Sequence, residues 1–206
     1  MTQAFELTPK KWPKQARSRA TFDALVEACT LVLPKLGYAG TTTNHIADAA
    51  GVGIASLYEY FPGKDAIIAR VIENMNARVL TELAKAALAL KDLPKEHLME
   101  VWLNAIYACL LKEQAILRVL TLEVPYNDQV SQAQHLPERL MSFSELLEYG
   151  ALDVLPKKQS KASMYLIVHL VVSSLTHLVI QPPEDIASED VIEELSKKLN
   201  HWVFSA

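Results

Sequence analysis

Glycine and cysteine are scarce in this sequence, and no Lys or Arg occurs between Lys35 and Lys64. Six glycines in 206 residues leave no Gly-rich phosphate loop, and no Walker A, GxSxG or HExxH stretch occurs. Spacing singles out no carboxylate pair or Ser/His/Asp grouping, so an all-α enzyme is a remote reading and no cofactor is expected. The two cysteines, Cys29 and Cys109, lie in apolar helical stretches without a CxxC partner. Two buried free thiols in a reducing cytosol are the simplest account of them. His97, His135, His169 and His177 have no ligand spacing with Cys or carboxylates, so no metal site is expected. The first residues, MTQAFELTPKKWPK, lack the apolar run of a signal peptide, and a cytoplasmic location follows as an expectation.

The net charge of −4 excludes a uniformly basic nucleic-acid binder, yet its distribution is uneven. Residues 1–64 hold seven Lys/Arg against five Asp/Glu, and residues 65–206 hold thirteen against nineteen. Only the N-terminal part is suited to approach phosphates. Half of the residues are hydrophobic, enough for a substantial core.

What is present centres on Thr41–Lys64, TTTNHIADAAGVGIASLYEYFPGK. Thr41, Thr42 and Thr43 offer N-cap hydroxyls before Ile46, Ala47 and Ala50, which recur at helical spacing. Gly51 ends that helix because glycine takes the left-handed conformation without a Cβ clash. A second helix, about Ile54–Phe61, follows within three residues and stops at Pro62–Gly63. Ala47 is small where the helices cross, and Leu57 points back into their angle. Two short helices on so tight a turn form a helix-turn-helix, a reader of the DNA major groove.

Around it the chain reads as helices throughout, an all-α fold with no strand required. Residues 1–14 look like a loose arm carrying Lys10, Lys11 and Lys14, continued by Arg17 and Arg19. A first helix spans Gln15–Leu36, with an apolar face of Phe22, Leu25, Val26, Cys29, Leu33 and Leu36 and a kink at Pro34. Further helices are predicted at Asp65–Leu90, Lys95–Lys112, from there to Val124, Glu138–Leu152, Gln159–Ile180 and Ser188–Val203. The polar stretch Asp128–His135 reads as a loop or frayed turn. Ser163–Ile180 lacks formal charge and reaches the lower length limit of a membrane span. Its Ser, Thr and His residues favour a helix packed in a dimer instead.

Gly37–Tyr38, Thr42–Thr43, Ile46–Ala47, Ala50–Gly51–Val52, Leu57–Tyr58–Glu59–Tyr60–Phe61 and Lys64 together resemble the tetracycline-repressor (TetR) family of bacterial regulators. The resemblance covers about Gln15–Ile68. It implies a three-helix DNA-binding head at 15–64, preceded by the basic arm at 1–14. It further implies a helical ligand-binding and dimerisation domain at 65–206, pairing through helices near 159–180 and 188–203. By the same resemblance, Thr43, Tyr58, Tyr60 and Lys64 contact phosphates of a double-stranded operator, the two tyrosines also burying their rings. Asn44, Ile54, Ala55 and Ser56 lie nearest the bases, with Thr42 and the N-cap Gly53 in the same DNA-binding surface. The basic residues Lys14, Arg17 and Arg19 read either as contacts to phosphates or a minor groove or as an ordinary solubilising tail.

Two positions depart from the family pattern: Gly53 stands where serine is frequent, and Ile54 where a polar or basic residue is. No Lys or Arg lies between Lys35 and Lys64, so guanine has no basic reader there and an A·T-leaning half-site is expected. Glu59 could accept from cytosine or be a solvated acid. For a small-molecule effector the candidate lining is Trp102, Tyr107, Met141, Phe143, Tyr165 and His169, each equally at home in a packed core. The function this supports is a ligand-responsive regulator, a repressor released by its effector. The alternative is a constitutive regulator whose C-terminal domain only dimerises.

Overall fold

The computed structural model describes residues 5–90, 93–133, 139–140 and 160–204. Among these residues all regular structure is helical. The helices are α1 (Ala16–Gly40), α2 (Thr43–Ala50), α3 (Ile54–Tyr60), α4 (Lys64–Leu88), α5 (Lys95–Lys112), α6 (Gln114–Leu122), α7 (Asn127–Ala133), α8 (Lys161–Ile180) and α9 (Ser188–Phe204). The expected helix Glu138–Leu152, with Met141 and Phe143, lies outside the described residues.

The chain divides into two compact units: Met1–Asn76 with Ala115–Gln134, and Ala77–Gln114 with His135–Ala206. The sequence pattern places everything after Lys64 in the second part. The segment 115–134 instead packs with the first unit, because Tyr126 is fully buried there and Glu123 and Tyr126 hydrogen-bond its residues.

In the first unit, α1 starts on a reciprocal cap in which the Gln15 N–H donates to Ser18 Oγ at 3.2 Å and the Ser18 hydroxyl donates to the Gln15 carbonyl at 2.8 Å. Phe22, Leu25, Val26, Cys29 and Leu33 form its buried face. Leu36, expected on that face, is exposed, the last residue before the helix breaks. The break falls at Gly37 (φ 69°, ψ 173°) and not at Pro34, which stays inside the helix.

Residues 5–14 are not the loose arm expected. The Lys10 N–H donates to the Tyr60 carbonyl at 2.8 Å, Trp12 packs on Phe22 at 5.8 Å, and Phe5 packs on Tyr126 at 4.8 Å. The Arg70 guanidinium lies 5.1 Å from the Trp12 ring centre. Two aromatic anchors, Phe5 and Trp12, offset the entropy of ordering a short strap.

α7 corrects the loop expected at Asp128–His135. About two turns of helix suffice to bury Val130, too short a stretch for periodicity to declare itself.

In the second unit α5 packs on α8 and α9 around Leu103, Leu175, Ile192 and Leu199. The bounds of α5 match the sequence reading. Ser160 caps α8, its hydroxyl oxygen accepting from the Ser163 N–H at 3.0 Å. Ser188, expected as a cap, is the first residue of α9 itself. Arg78 donates two hydrogen bonds to the Glu113 carboxylate at 2.8 and 2.7 Å, the two-pronged geometry that a guanidinium favours.

Candidate functional site

The head is assembled by local signals. Thr42 caps α2, its hydroxyl oxygen accepting from the His45 N–H at 3.2 Å. Gly51 closes it in the left-handed conformation (φ 66°). Its N–H reaches back to the Asp48 carbonyl and that of Val52 to Ala47, so the orphan carbonyls of the helix end are satisfied. Ile46, Ala47, Leu57 and Phe61 are buried, with Phe61 stacked on Phe22 at 4.6 Å. This wedge fixes α3 on α2 and leaves Gly53, Ile54 and Ala55 at its exposed N-terminal end, with Ser56 half-buried beside them.

Beside that end the structure brings two predicted phosphate ligands together. Thr43 Oγ1 and Tyr58 Oη stand 3.1 Å apart, both side chains reaching the surface. A pair of hydroxyls at this distance can present two donors to one phosphate group. Asn44 is exposed on the same turn of α2 as Thr43. Lys14, Arg17 and Arg19 are exposed at the start of α1 and have no ion-pair partner among the described residues.

Two predicted phosphate residues have other surroundings. Tyr60 is buried, edge-on to Phe22 at 5.9 Å, because the last turn of α3 faces the core. Of the two roles expected of Tyr60, a packed ring and a hydroxyl offered to phosphate, this burial accounts for the first. Lys64 is half-buried, and its ammonium donates to the carbonyls of Tyr38 (2.6 Å) and Thr41 (3.0 Å). It lies 4.2 Å from the Tyr38 ring centre as well. Two of its three donors thus close the end of α1, and one is left for a phosphate.

Lys10 and Lys11 also find partners within the head. Lys10 Nζ donates to the Tyr58 carbonyl at 3.3 Å. Lys11 pairs with Glu59 at 2.7 Å, and this raises the lysine pKa through its hydrogen bond and the carboxylate charge. Glu59, the acid of α3, is therefore occupied.

Behind the head, Asp65 accepts from the hydroxyls of Tyr38 (2.9 Å) and Tyr126 (2.8 Å). Burial and the Asp65 carboxylate push Tyr38 up to about 12 and raise Tyr126 further. Glu123 Oε2 accepts from the Tyr38 N–H at 2.8 Å. None of these partners was legible in the sequence, since 27 to 85 residues separate them. Cys29 is buried, its thiol pKa pushed up to about 12 by desolvation, which makes it an inert core residue. Cys109 is buried as well.

The second unit contains a half-open cavity of about 90 Å³. Leu83, Met99, Trp102, Leu103, Met164 and Val171 contribute to a largely apolar wall. Of the candidate effector residues Trp102 lines it. Tyr107 packs against the neighbouring core. Tyr165 and His169 do not line it: they stack on each other at 3.9 Å on the exposed face of α8, a correction imposed by the register of that helix. The missed lining residues Met99, Leu103 and Ile106 flank Trp102 at helical spacing, which is also the pattern of an ordinary core.

Fold and site together define a DNA-binding regulator of the helix-turn-helix class. Residues 32–71 match the family of bacterial regulatory proteins of the tetR family. Solved structures agree over most of the chain. A protein classed as a TetR-family transcriptional regulator, from Mesorhizobium loti, is 16% identical with a TM-score of 0.67, over 93% of this chain and 98% of its own. The fatty acid degradation regulator FadR from Bacillus halodurans is 17% identical with a TM-score of 0.60, over 92% and 97%. The TetR family repressor AlkX from a Dietzia strain, implicated in n-alkane biodegradation, is 14% identical with a TM-score of 0.58, over 88% and 97%. Comparison with curated proteins gives no significant match. The head thus matches the TetR family over residues 32–71, and the fold is the one found in solved structures of that family.

Proposed function

We propose that the protein is a dimeric repressor that binds a two-fold-symmetric operator and is released by a small-molecule effector. The observation that carries the DNA half is the exposed start of α3, flanked by the Thr43–Tyr58 hydroxyl pair. In this reading the N-terminal end of α3 enters the major groove. Ile54 and Ala55 pack on thymine methyl groups, while Asn44 and Ser56 offer hydrogen bonds to base edges. Thr42, Thr43, Tyr58 and the remaining donor of Lys64 hold phosphates and set the register. Lys14, Arg17 and Arg19 supply the sequence-independent attraction that α3 itself lacks.

Dimerisation is supported by α8. One of its faces is buried in the unit core, while Tyr165, Leu166, Leu170 and Val172 are exposed on others. This helix alone, among the described residues, is long and apolar enough to cross a membrane. A symmetry mate, with α9 contributing, would cover the same surface in a soluble dimer. The ligand half is supported by the apolar cavity, and by relatives whose names link them to fatty acid and alkane metabolism. An effector releases DNA only by preferring the dimer state whose heads no longer match successive grooves.

The test is selection of binding sites from random duplex DNA, followed by a salt titration on the winner. The expected result is an A·T-rich inverted repeat with half-sites about one helical turn, roughly 34 Å, apart. Affinity should fall steeply with salt. An unenriched pool at every salt concentration would remove the groove-reading assignment.

A further inference from the structure

We infer that the cavity of the second unit is a site for uncharged, hydrocarbon-like molecules and excludes their carboxylates. This rests on the reading of that unit as the effector domain, and it specifies the chemistry of the effector.

The wall comes from α4, α5, α8, α9 and Leu140, and thirteen residues contribute to it. None of the thirteen is ionisable, so an anionic or cationic ligand group would meet no opposite charge among the described residues. Of the ionisable neighbours along the same segments, Glu82 is half-buried, and Lys85, Glu100, Arg139, Lys161, His169, Lys198 and His201 are exposed; none of them lines the wall. A carboxylate carried into such a wall would lose its hydration without an ion-pair partner, and burying an unpaired charge is far costlier than any contact its tail could add.

Size narrows the class further. A dry apolar cavity of ~150 Å³ accepts benzene, whereas this one offers about 90 Å³. That is space for roughly three water-sized groups, a short alkyl segment. Met99 and Met164 stand in the wall, and their unbranched, polarisable side chains can re-pack around a longer chain. Because the cavity is half-open, a small neutral polar end can remain at its mouth while the alkyl part fills the interior.

The experiment compares 1-hexanol with hexanoate on the full-length protein, at a mildly alkaline pH where the acid is ionised. Binding is followed by calorimetry and by tryptophan fluorescence, since Trp102 stands in the wall. Hexanol is expected to bind at least about tenfold more tightly than hexanoate. The gap should close as the pH falls into the carboxylate range and the acid becomes neutral. Met99→Phe, which fills space, should weaken hexanol binding. Should that variant not fold, Leu103→Ala supplies the second arm, because it enlarges the cavity and should shift preference toward longer alcohols. Equal binding of hexanoate and hexanol, or binding of neither, would overturn the inference. If hexanol binds as expected but leaves affinity for the selected operator unchanged, the chemistry of the cavity stands and the effector-domain reading fails.

Discussion

Gly37 shows how much can depend on one missing Cβ. Its backbone (φ 69°, ψ 173°) lies where side-chain-bearing residues are strained, and a Cβ would come within 2.7 Å of Glu123 Oε2. The carboxylate could swing aside, but it would then abandon the Tyr38 N–H. Gly37→Ala should therefore destabilise the protein by about 1–3 kcal/mol, measured by urea unfolding. Glu123→Gln, whose amide oxygen can still accept, should cost much less.

The tyrosines on Asp65 make a second prediction at this scale. Tyr38 is raised from 10.0 to about 12, first by burial and then by its hydrogen bond to Asp65. The folded state thus holds a proton that the unfolded chain releases. Its contribution is complete below pH 10 and is lost as pH rises through about 12. Tyr126 acts in the same direction. The unfolding midpoint should fall across this alkaline window, and Tyr126→Phe should make the fall shallower.

At the scale of the element, α3 divides its work along its length. Its first turn is exposed, its middle carries Leu57 inward and Tyr58 outward, and its last turn is buried at Tyr60. Ile54→Ala should relax base preference at one or two positions of the selected site while keeping most of the affinity. Tyr58→Phe should weaken all sequences alike, by about fivefold for the loss of one hydrogen bond of about 1 kcal/mol. Parallel selections with the two variants distinguish these outcomes, and an unchanged preference in Ile54→Ala would remove that residue from base readout.

The same element shows what a sequence can display. Thr42, Gly51 and Leu57 act within a few residues of themselves, so cap, turn and wedge were all legible, as was the whole of α5. The surroundings of Tyr60, Lys64 and Glu59 were not legible. Phe22 lies 38 residues before Tyr60 in the chain, and Lys11 lies 48 before Glu59. The effector residues fared worst. Aromatic character drew attention to Tyr165 and His169, but helical register decides which side chains face a cavity, and they lie on the other face of α8.

For the whole molecule, the compact units cut across the order of the chain. The head takes Tyr126 from residue 115 onward, and that ring, fully buried, also receives Phe5 and Tyr38. A fragment ending at Asn76 lacks it. Removing a buried aromatic costs about 3–5 kcal/mol, comparable to the entire stability of many small domains. The fragment 1–76 should melt well below the full-length protein and bind the selected operator weakly, as circular dichroism and a gel-shift titration would show. Adding the 115–134 peptide in trans should restore part of both.

That division also limits how such a regulator can be rebuilt, by recombination or by hand. A gene fusion joining this head to a foreign sensor at the Lys64–Asp65 junction would transplant the DNA-reading surface without the Glu123 and Tyr126 that brace Tyr38 and Asp65. Working hybrids would have to exchange two separate stretches of sequence at once. Inheritance by simple crossover is then a poor route to new pairings of this head with other second units, and gradual substitution within one uninterrupted lineage is the easier one.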